Sequence, residues 1–347
     1  MKGKSLAEDN RIVADIGEFG LIDRIQKVLP EVDRKDLIIG IGDDTAVIRI
    51  NEQRALLITC DIQVEDQHFR SKNISPYQLG RRAMAVNLSD IAAMGGQPTY
   101  SLVSLGFPKT FLLADFDELF RGMKDELAVF SAYLIGGNLS NTQKELIIDI
   151  TLLGEISPDQ VMTRSGARPG DRIFVTGNLG ESGAGFYVLE KYGKNYPREF
   201  HNLVQKHLQP VPRIEIGKRI AQSGFATAMI DVSDGIASDL NHICTMSAVG
   251  AEIYQDRIPL PDGIDRVTYF SGKSALYLVL HSGEDYELLF TMKPDMPDAA
   301  IHSISQKTGV ATTEIGKILT LESGFYLIDL QNRHMPIEPK GWDHFDH

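Results

Sequence analysis

The stretch Gly40-Ile41-Gly42-Asp43-Asp44 places two adjacent carboxylates after a short apolar run, Leu37-Ile38-Ile39. The two glycines allow the backbone to turn tightly, while two like charges about 4 Å apart repel by about 4 kcal/mol near a protein surface. An Asp-rich turn, in which Asp side chains bond to their own backbone, explains this pentapeptide by itself. A shared Mg²⁺ ion, which prefers carboxylate oxygens, is the alternative. Carboxylates that recur at separated points of the chain favour the metal.

One predicted helix carries a carboxylate in an apolar setting. Ser75-Pro76 predicts the start of a helix over Tyr77 to Met94, because Ser caps a helix and Pro suits its first position. Asp90 lies among apolar residues near the C-terminal end of this helix, where burial and the helix dipole both disfavour a negative charge. We therefore expect a cation or a network of hydrogen-bond donors around Asp90.

Two predicted strands also end at carboxylates. The strand Ala55–Asp61 has its Asp at the last residue. The buried strand Ala226–Ile230 leads into Asp231 and Asp234 at a strand-to-helix turn, where α/β sheets present ligand groups. Asp234 could instead cap the following helix, which would explain one of these two carboxylates but not both.

Two glycine runs follow predicted strands. Ala132–Ile135 predicts a short strand that opens into Gly136-Gly137-Asn138, and Arg172–Thr176 precedes the run Gly177–Gly185. A strand followed by glycines and a helix is typical of a phosphate-binding turn. Neither the dinucleotide fingerprint nor the P-loop fingerprint is present, so the second run by itself is weak evidence.

The composition limits the class of protein. A chain of 347 residues with 43% hydrophobic content predicts two packed domains, with a boundary in the polar segment from Ile156 to Asp171. The net charge of −12 argues against a nucleic-acid surface. Residues 1–16 lack the apolar core of a signal peptide, and the apolar runs are too short to span a bilayer. We predict a cytoplasmic protein with reduced thiols at Cys60 and Cys244, bound to neither membrane nor nucleic acid.

Eight motifs, which follow one another in family order over roughly residues 16 to 345, give the chain its resemblance to a known family. The chain resembles the thiamine-monophosphate kinases, whose superfamily includes aminoimidazole ribonucleotide synthetase, selenophosphate synthetase and a hydrogenase-maturation protein. The motifs are GIGDDTAV (Gly40–Val47), TCD (Thr59–Asp61), AVNLSDIAAMGG (Ala85–Gly96), LIGGN (Leu134–Asn138), TRSGARPGD (Thr163–Asp171), IDVSDG (Ile230–Gly235), SGEDYEL (Ser282–Leu288) and KGWDHF (Lys340–Phe345).

The resemblance implies a fold and a reaction. The fold is α/β (α+β), the two-domain architecture of the synthetase superfamily. Residues 1–155 form an N-terminal domain that binds ATP and Mg²⁺ and pairs into a dimeric β-barrel. Residues 156–347 form a C-terminal α/β domain that completes the nucleotide and substrate site. The implied reaction converts ATP and thiamine monophosphate to ADP and thiamine diphosphate, with several Mg²⁺ ions and a homodimeric enzyme.

The resemblance also assigns residues, motif by motif. The implied Mg²⁺ ligands are Asp43, Asp44, Asp61, Asp90, Asn138, Asp231 and Asp234. The implied ATP-binding positions are Thr59, Gly137, Asn138, Arg164 and Ser233. The implied substrate positions are His68, Glu284 and Trp342. No general base is assigned, because the acceptor is an ionised phosphate and the enzyme needs only positioning and charge neutralisation.

Several of these residues have plain structural alternatives. His68 could lie in a surface turn, Glu284 could cap a helix, and Arg164 could pair with a surface carboxylate. Trp342 could anchor the tail on the core, although its aromatic face suits a cationic thiazolium ring. For Arg164, the planar guanidinium suits a phosphate.

Two positions depart from the family pattern. Asn138 stands where the family usually has Asp, which removes one negative charge but keeps an oxygen for Mg²⁺. Cys60 stands where Thr is common. We expect an active enzyme with a shifted Mg²⁺ dependence. The alternatives are a nucleotide-binding paralogue without turnover and another ATP-dependent synthetase, such as aminoimidazole ribonucleotide synthetase.

Overall fold

The computed structural model describes residues 12–15, 17–29 and 34–338. The helices are α1 (Gly17–Val28), α2 (Pro76–Ala93), α3 (Leu113–Val129), α4 (Glu181–Tyr192), α5 (His201–Leu208), α6 (Ile214–Gln222), α7 (Ile236–Ser247), α8 (Ile264–Ser271), α9 (Ala275–His281) and α10 (Asp298–Thr308). The strands are β1 (Leu37–Ile39), β2 (Ala46–Arg49), β3 (Ala55–Val64), β4 (Gln97–Pro108), β5 (Tyr133–Thr142), β6 (Ile147–Ile156), β7 (Arg172–Thr176), β8 (Ala226–Asp231), β9 (Val249–Tyr254), β10 (Leu288–Met292), β11 (Thr312–Thr320), β12 (Phe325–Ile328) and β13 (His334–Pro336).

The first sheet has six strands in the order β1-β2-β3-β6-β4-β5. The hairpin β2–β3 is antiparallel, with Ala46 opposite Ile58, and β3 continues three residues beyond the predicted end at Asp61. Strands β4 and β5 pair in parallel, and α3 connects them. Side chains of β6 alternate between buried and half-buried, as expected of a sheet with one face on the core.

The predicted end of the strand at Ile135 is wrong, because β5 continues through Gly136 and Gly137 to Thr142. Gly137 has a φ of +154°, and a Cβ built on it would lie 1.8 Å from the carbonyl oxygen of Val103. Glycine therefore serves the close approach of β5 to β4 at this point, not a change of chain direction.

The second sheet has seven strands in the order β13-β12-β9-β11-β7-β10-β8. Only the pair β12–β9 is parallel among the described pairs, so the sheet is mixed. Strand β8 lies at one edge and ends at Asp231, which pairs with Leu288 of β10. This edge brings the C-terminal end of β8 next to the segment that precedes β10.

Helix α2 lies between the two sheets. Ser75 and Gln78 form a reciprocal capping box at its start, with Gln78 N donating to Ser75 Oγ at 3.2 Å, so the predicted N-terminus is confirmed. The helix packs on β3 and β6 of the first sheet and on α6 and β8 of the second. Thirteen of its eighteen residues are buried, because it faces apolar side chains on both sides. Any polar residue on α2 is consequently held in a fixed place.

Two backbone amides of the glycine run after β7 already donate to a side chain of the protein. Asp285 is buried and accepts hydrogen bonds from the backbone N–H of Gly180 at 2.6 Å and of Ser182 at 3.0 Å. An internal carboxylate thus occupies the N-terminus of α4, where the sequence favoured a phosphate. The suggested cap of α7 is also wrong, because its N-cap residue is Gly235 and not Asp234.

The described residues show the α/β architecture expected from the sequence, with one sheet in each half of the chain. Residues 157–171, between β6 and β7, contain neither helix nor strand. The division of roles between residues 1–155 and 156–347 stays a prediction. Among the described residues, no helix is both long enough and apolar enough to cross a membrane.

Candidate active site

A cavity of about 1330 Å³ is lined by both halves of the chain. The residues before β2, the strand β3 and the helix α2 line it from the first half. The end of β8, the start of α7 and residues 281–286 line it from the second half. This volume exceeds that of a pocket for one small ligand, about 300–1,000 Å³. The cavity therefore has room for two substrates.

Three carboxylates from distant parts of the sequence meet at one end of this cavity. Asp44 precedes β2, Asp90 lies near the end of α2 and Asp231 is the last residue of β8. One oxygen from each of the three lies within 4.8 Å of the others. We call this group, together with Asp43, the carboxylate end of the cavity. Oxygen ligands at this spacing suit a hard divalent cation.

Neighbouring donors orient two of these carboxylates. Ser89 Oγ donates to Asp231 Oδ2 at 2.6 Å, and Thr59 Oγ1 donates to Asp90 Oδ2. Thr59 is buried on β3, so its hydroxyl faces α2 and not the solvent. Thr59, an implied ATP-binding position, therefore has a positioning contact with a proposed metal ligand.

Burial and mutual repulsion raise the pKa values at the carboxylate end. Burial raises the pKa of Asp43 to about 7, with Asp44 as the next cause. Burial and then Asp44 raise the pKa of Asp231 to about 7. Burial, followed by Asp61, Asp231 and Asp44, raises the pKa of Asp90 well above its usual value. The chain itself compensates this negative charge only in part, which is the situation that a bound cation relieves.

Arg164 supplies positive charge at this end. Its Nε and one terminal nitrogen lie 3.1 and 2.5 Å from Asp44 Oδ1, and its backbone N–H donates to Asp43 Oδ2 at 3.2 Å. Although burial raises the pKa of Asp44 and Arg164 lowers it, the net shift is upward. The second oxygen of Asp44, Oδ2, is buried and has no hydrogen-bond partner among the described residues. An orphaned carboxylate oxygen beside two other carboxylates fits a metal ion.

Three other implied residues line the same cavity. Asp61 on β3 is half-buried, and its backbone N–H donates to Asn87 Oδ1 on α2 at 3.1 Å. Ser233 and Asp234 follow β8 and are also half-buried in the lining. The structure thus brings Asp43, Asp44, Asp61, Asp90, Asp231 and Asp234 into one cavity, as the metal-site hypothesis requires.

Two implied substrate residues lie in the lining as well. His68 follows β3, and its Nδ1 accepts a hydrogen bond from the backbone N–H of Val64 at 3.0 Å. Glu284 lies between α9 and β10 and accepts a hydrogen bond from Arg82. Trp342 lies outside the described residues.

Gly137 and Asn138 do not line the cavity in a single chain. Asn138 is exposed on β5, the edge strand of the first sheet, and is the register partner of Ser104 on β4. The assignment of Gly137 and Asn138 to the nucleotide site, and of Asn138 to the metal site, stays a prediction.

Sequence reasoning missed several polar residues of the lining, among them Arg82, His207, Asp239 and His242. Arg82 could have been found, since it precedes Asp90 by two helical repeats of four residues. Asp239 lies in the first turn of α7, and its Oδ2 accepts from the backbone N–H of Gly235 at 3.1 Å. His207 on α5 offers no sequence signal, because only the fold brings that helix to the cavity.

Comparisons with known proteins agree with this architecture. Residues 42–156 match the model of the AIR synthase related protein N-terminal domain, and residues 168–325 match that of the C-terminal domain. The thiamine-monophosphate kinase of Buchnera aphidicola subsp. Acyrthosiphon pisum is 38% identical over 93% of this chain and 98% of its own length. The thiamine-monophosphate kinase of Aquifex aeolicus is 35% identical over 95% of this chain and 99% of its own length.

A solved structure, AaThiL complexed with AMPPCP and TMP, superposes on this chain with a TM-score of 0.83 and 34% identity. The match covers 97% of this chain and 99% of that one. Nearly complete coverage at this identity carries the likeness beyond a shared fold. The chain belongs to the thiamine-monophosphate kinase family of AIR synthase related proteins.

Proposed function

We propose that this chain transfers the γ-phosphoryl group of ATP to thiamine monophosphate, which gives thiamine diphosphate and ADP by direct in-line transfer. The observation that carries the proposal is the cluster of Asp44, Asp90 and Asp231, only partly compensated by Arg164, in a cavity with room for two substrates. The family supports the choice of substrates, since its relatives are named for this reaction and AaThiL is complexed with AMPPCP and TMP.

Mg²⁺ is the cofactor that the carboxylate end fits best. The residues proposed to hold several ions are Asp43, Asp44, Asp61, Asp90, Asn138, Asp231 and Asp234. The orphaned Oδ2 of Asp44 and the raised pKa of Asp231 support this proposal, because both indicate negative charge without a partner. Bound Mg²⁺ would neutralise the charge that develops on the transferred phosphoryl group.

The nucleotide is proposed to bind beside these carboxylates, with Thr59, Gly137, Asn138, Arg164 and Ser233 as its contacts. The contact of the Arg164 guanidinium with Asp44, a proposed metal ligand, supports this role for Arg164. A planar guanidinium that donates to a carboxylate along one edge has further N–H groups that can donate to a phosphate. Arg164 thus orients the phosphate and offsets its charge.

The acceptor substrate is proposed to contact His68, Glu284 and Trp342. No side chain needs to remove a proton, because the acceptor is an ionised phosphate. The work of the site is therefore to hold two phosphates in line and to exclude water between them.

A homodimer is proposed on the basis of the outer face of β4 and β5. Tyr100, Leu102 and Tyr133 are large and exposed on this face, next to the open edge of β5. A second copy would cover the apolar side chains and the edge together. Asn138 lies on this same strand, so pairing would bring it to a site that a single chain leaves incomplete.

In the proposed enzyme, residues 1–155 pair and bind ATP and Mg²⁺, and residues 156–347 complete the site. The proposed location of the enzyme is the cytoplasm.

The test is turnover by the purified full-length chain. ATP, Mg²⁺ and thiamine monophosphate are mixed with the protein, and thiamine diphosphate and ADP are followed by chromatography. Unphosphorylated thiamine and an aminoimidazole precursor are the control substrates. Turnover of the monophosphate alone is expected. Nucleotide binding without turnover on any of these substrates would contradict the proposal.

A further inference from the structure

Helix α2 presents three side chains to the cavity at a spacing of four residues: Arg82, Val86 and Asp90. This spacing places them on one face of the helix. At 1.5 Å per residue, Arg82 lies about 12 Å from Asp90 along the helix axis. One rigid helix therefore holds a proposed metal ligand at one end of the cavity and a cation at the other.

Arg82 is 1% exposed and is held by groups from the second half of the chain. One terminal nitrogen donates to the carbonyl oxygen of His207 on α5, and the other donates to Glu284 Oε1. Its Nε is buried and has no hydrogen-bond partner among the described residues. Burying a guanidinium is costly unless it is paired. The ion pair with Glu284 is therefore the contact that keeps Arg82 in place, and it acts equally on Glu284.

The backbone around Glu284 is pinned as well. Glu284 has a φ of +57°, in the left-handed region that a non-glycine residue rarely adopts. Its N–H donates to the carbonyl oxygen of Ser233 at 2.7 Å. A Cβ on the preceding Gly283 would lie 2.2 Å from that same oxygen, so only glycine allows this approach. A strained backbone held in this way is characteristic of functional positions.

The second carboxylate oxygen of Glu284 has acceptor capacity left. Glu284 lines the cavity with a side chain that is 31% exposed. Its Oε2 lies 3.6 Å from Nδ1 of His207, beyond hydrogen-bond distance, and that nitrogen lies 3.0 Å from Ser182 Oγ. Burial and then Arg82 lower the pKa of His207 to about 4, so His207 is neutral and does not add a second cation.

We propose that Arg82 is a positioning residue for the acceptor substrate: it fixes Glu284 so that Oε2 accepts a hydrogen bond from the ring end of that substrate. The inference rests on the proposed function, which supplies a substrate with a phosphate at one end and rings at the other. The pyrimidine ring of thiamine carries an amino donor, and its thiazolium ring carries a positive charge. The amino group can donate the hydrogen bond to a carboxylate oxygen, and the thiazolium charge attracts the carboxylate without such a bond. The phosphate belongs at the carboxylate end, with the rings about 12 Å away toward Arg82.

The experiment compares Arg82→Met and Arg82→Lys with wild type in the kinase assay. For Arg82→Met we expect the KM for thiamine monophosphate to rise about tenfold, the effect of losing one hydrogen bond to a charged group. The KM for ATP should stay within about twofold, because ATP binds at the other end. Arg82→Lys should recover part of the loss, since it keeps the charge but not the two-pronged geometry.

The matched control is Arg81→Met. Arg81 is the neighbouring residue on α2, and it also forms an ion pair with a buried carboxylate, Glu126, but it does not line the cavity. Both KM values should be unchanged in this variant. Thermal unfolding of all variants shows whether each is folded. If Arg82→Met does not fold, calorimetric titration of Arg82→Lys with thiamine monophosphate and with a non-hydrolysable ATP analogue gives the same comparison.

A double-mutant cycle separates action through Glu284 from a general effect on packing. If Arg82 acts through Glu284, the double variant Arg82→Met/Glu284→Gln raises the KM for thiamine monophosphate no more than the more severe single variant. Additive effects, or equal rises in the KM values for both substrates, would overturn the inference while leaving the proposed function intact. A wild-type chain that does not phosphorylate thiamine monophosphate would remove the proposed function and this inference with it.

Discussion

Two carboxylate sites in this chain, the carboxylate end of the cavity and the buried Glu287, are built in opposite ways. At the carboxylate end of the cavity, Asp44, Asp90 and Asp231 share one arginine, and one oxygen of Asp44 has no partner in the described part of the chain. Glu287 is 1% exposed, and both of its carboxylate oxygens accept hydrogen bonds. It accepts from Arg213 Nε at 2.6 Å, from Lys206 Nζ at 3.0 Å and from Thr176 Oγ1 at 2.6 Å.

The pKa values follow this difference. Burial raises the pKa of Glu287, but Arg213 and Lys206 together bring it below the ordinary value of 4.5. Burial raises the pKa of Asp231 to about 7, and Ser89 and Arg164 do not offset it. The charge of Glu287 is therefore balanced within the chain, whereas the carboxylate end has one arginine, Arg164, for several carboxylates. Burial alone does not mark a functional carboxylate; missing charge compensation does.

The largest effect is expected for Asp231→Asn. Loss of one ligand at the carboxylate end should reduce kcat with thiamine monophosphate roughly a thousand-fold, about 4 kcal/mol in the barrier. Removing an uncompensated charge should also leave the metal-free protein at least as stable as wild type. Steady-state kinetics and thermal unfolding in the presence of EDTA measure the two effects.

The control for Asp231→Asn is Asp256→Asn, which removes an exposed carboxylate of the same half of the chain outside the cavity. This variant should change neither activity nor stability. A metal-free Asp231→Asn protein that unfolds more easily than wild type would mean that the chain does compensate this carboxylate after all.

Glu287→Gln should behave in the reverse way. The substitution leaves Arg213 and Lys206 without their carboxylate, so we expect a loss of about 3 kcal/mol in the free energy of unfolding at neutral pH. A folded-state pKa below the unfolded value contributes stability that is present above about pH 4.5 and lost as the pH falls. The difference between wild type and variant, measured by urea denaturation, should therefore shrink below that pH. A constant difference would indicate a loss of packing and not of charge.

Mg²⁺ should stabilise the carboxylate end and leave Glu287 and its partners Arg213, Lys206 and Thr176 unaffected. A ligand at one hundred times its dissociation constant stabilises the folded state by about 2.7 kcal/mol. We expect wild type to gain stability of this order in saturating Mg²⁺, compared with Na⁺ at equal ionic strength. Glu287→Gln should show the same gain, and Asp231→Asn a smaller one. Equal gains in all three proteins would place the bound Mg²⁺ elsewhere.

Sequence reasoning found the carboxylates but could not separate the two groups. Asp90 and Glu287 both lie in family motifs between apolar residues, so local patterns treat them alike. The compensating charges of Glu287 come from α5 and from Arg213, which only tertiary packing brings near. For the same reason Arg82 was missed, although its helical spacing to Asp90 was readable.

Glycine caused the clearest error of fold. The strand over Ala132–Ile135 was predicted to end before Gly136-Gly137, and the structure has a continuous strand there. Glycine is required both where a chain turns and where two strands approach closely, and the neighbouring strand decides between these. At Gly137 that neighbour is Val103, whose position depends on pairing across the sheet.

The smallest effect is expected for a substitution of Asn138, the one proposed Mg²⁺ ligand whose side chain carries no charge. Asn138 lies exposed on β5 and outside the cavity of a single chain, so it can reach a metal only if a second copy completes the site. Asn138→Asp then adds one negative charge to the carboxylate end, and we expect the Mg²⁺ concentration for half-maximal activity to fall by less than about tenfold.

Asn141→Asp, farther along the same exposed strand, is the matched control and should leave this concentration unchanged. Titration of activity with Mg²⁺, beside sedimentation of each variant, measures the effect in the dimer. An unaltered Mg²⁺ requirement in dimeric Asn138→Asp would show that position 138 is not a ligand, and the charge deficit would then belong entirely to the carboxylates of the cavity.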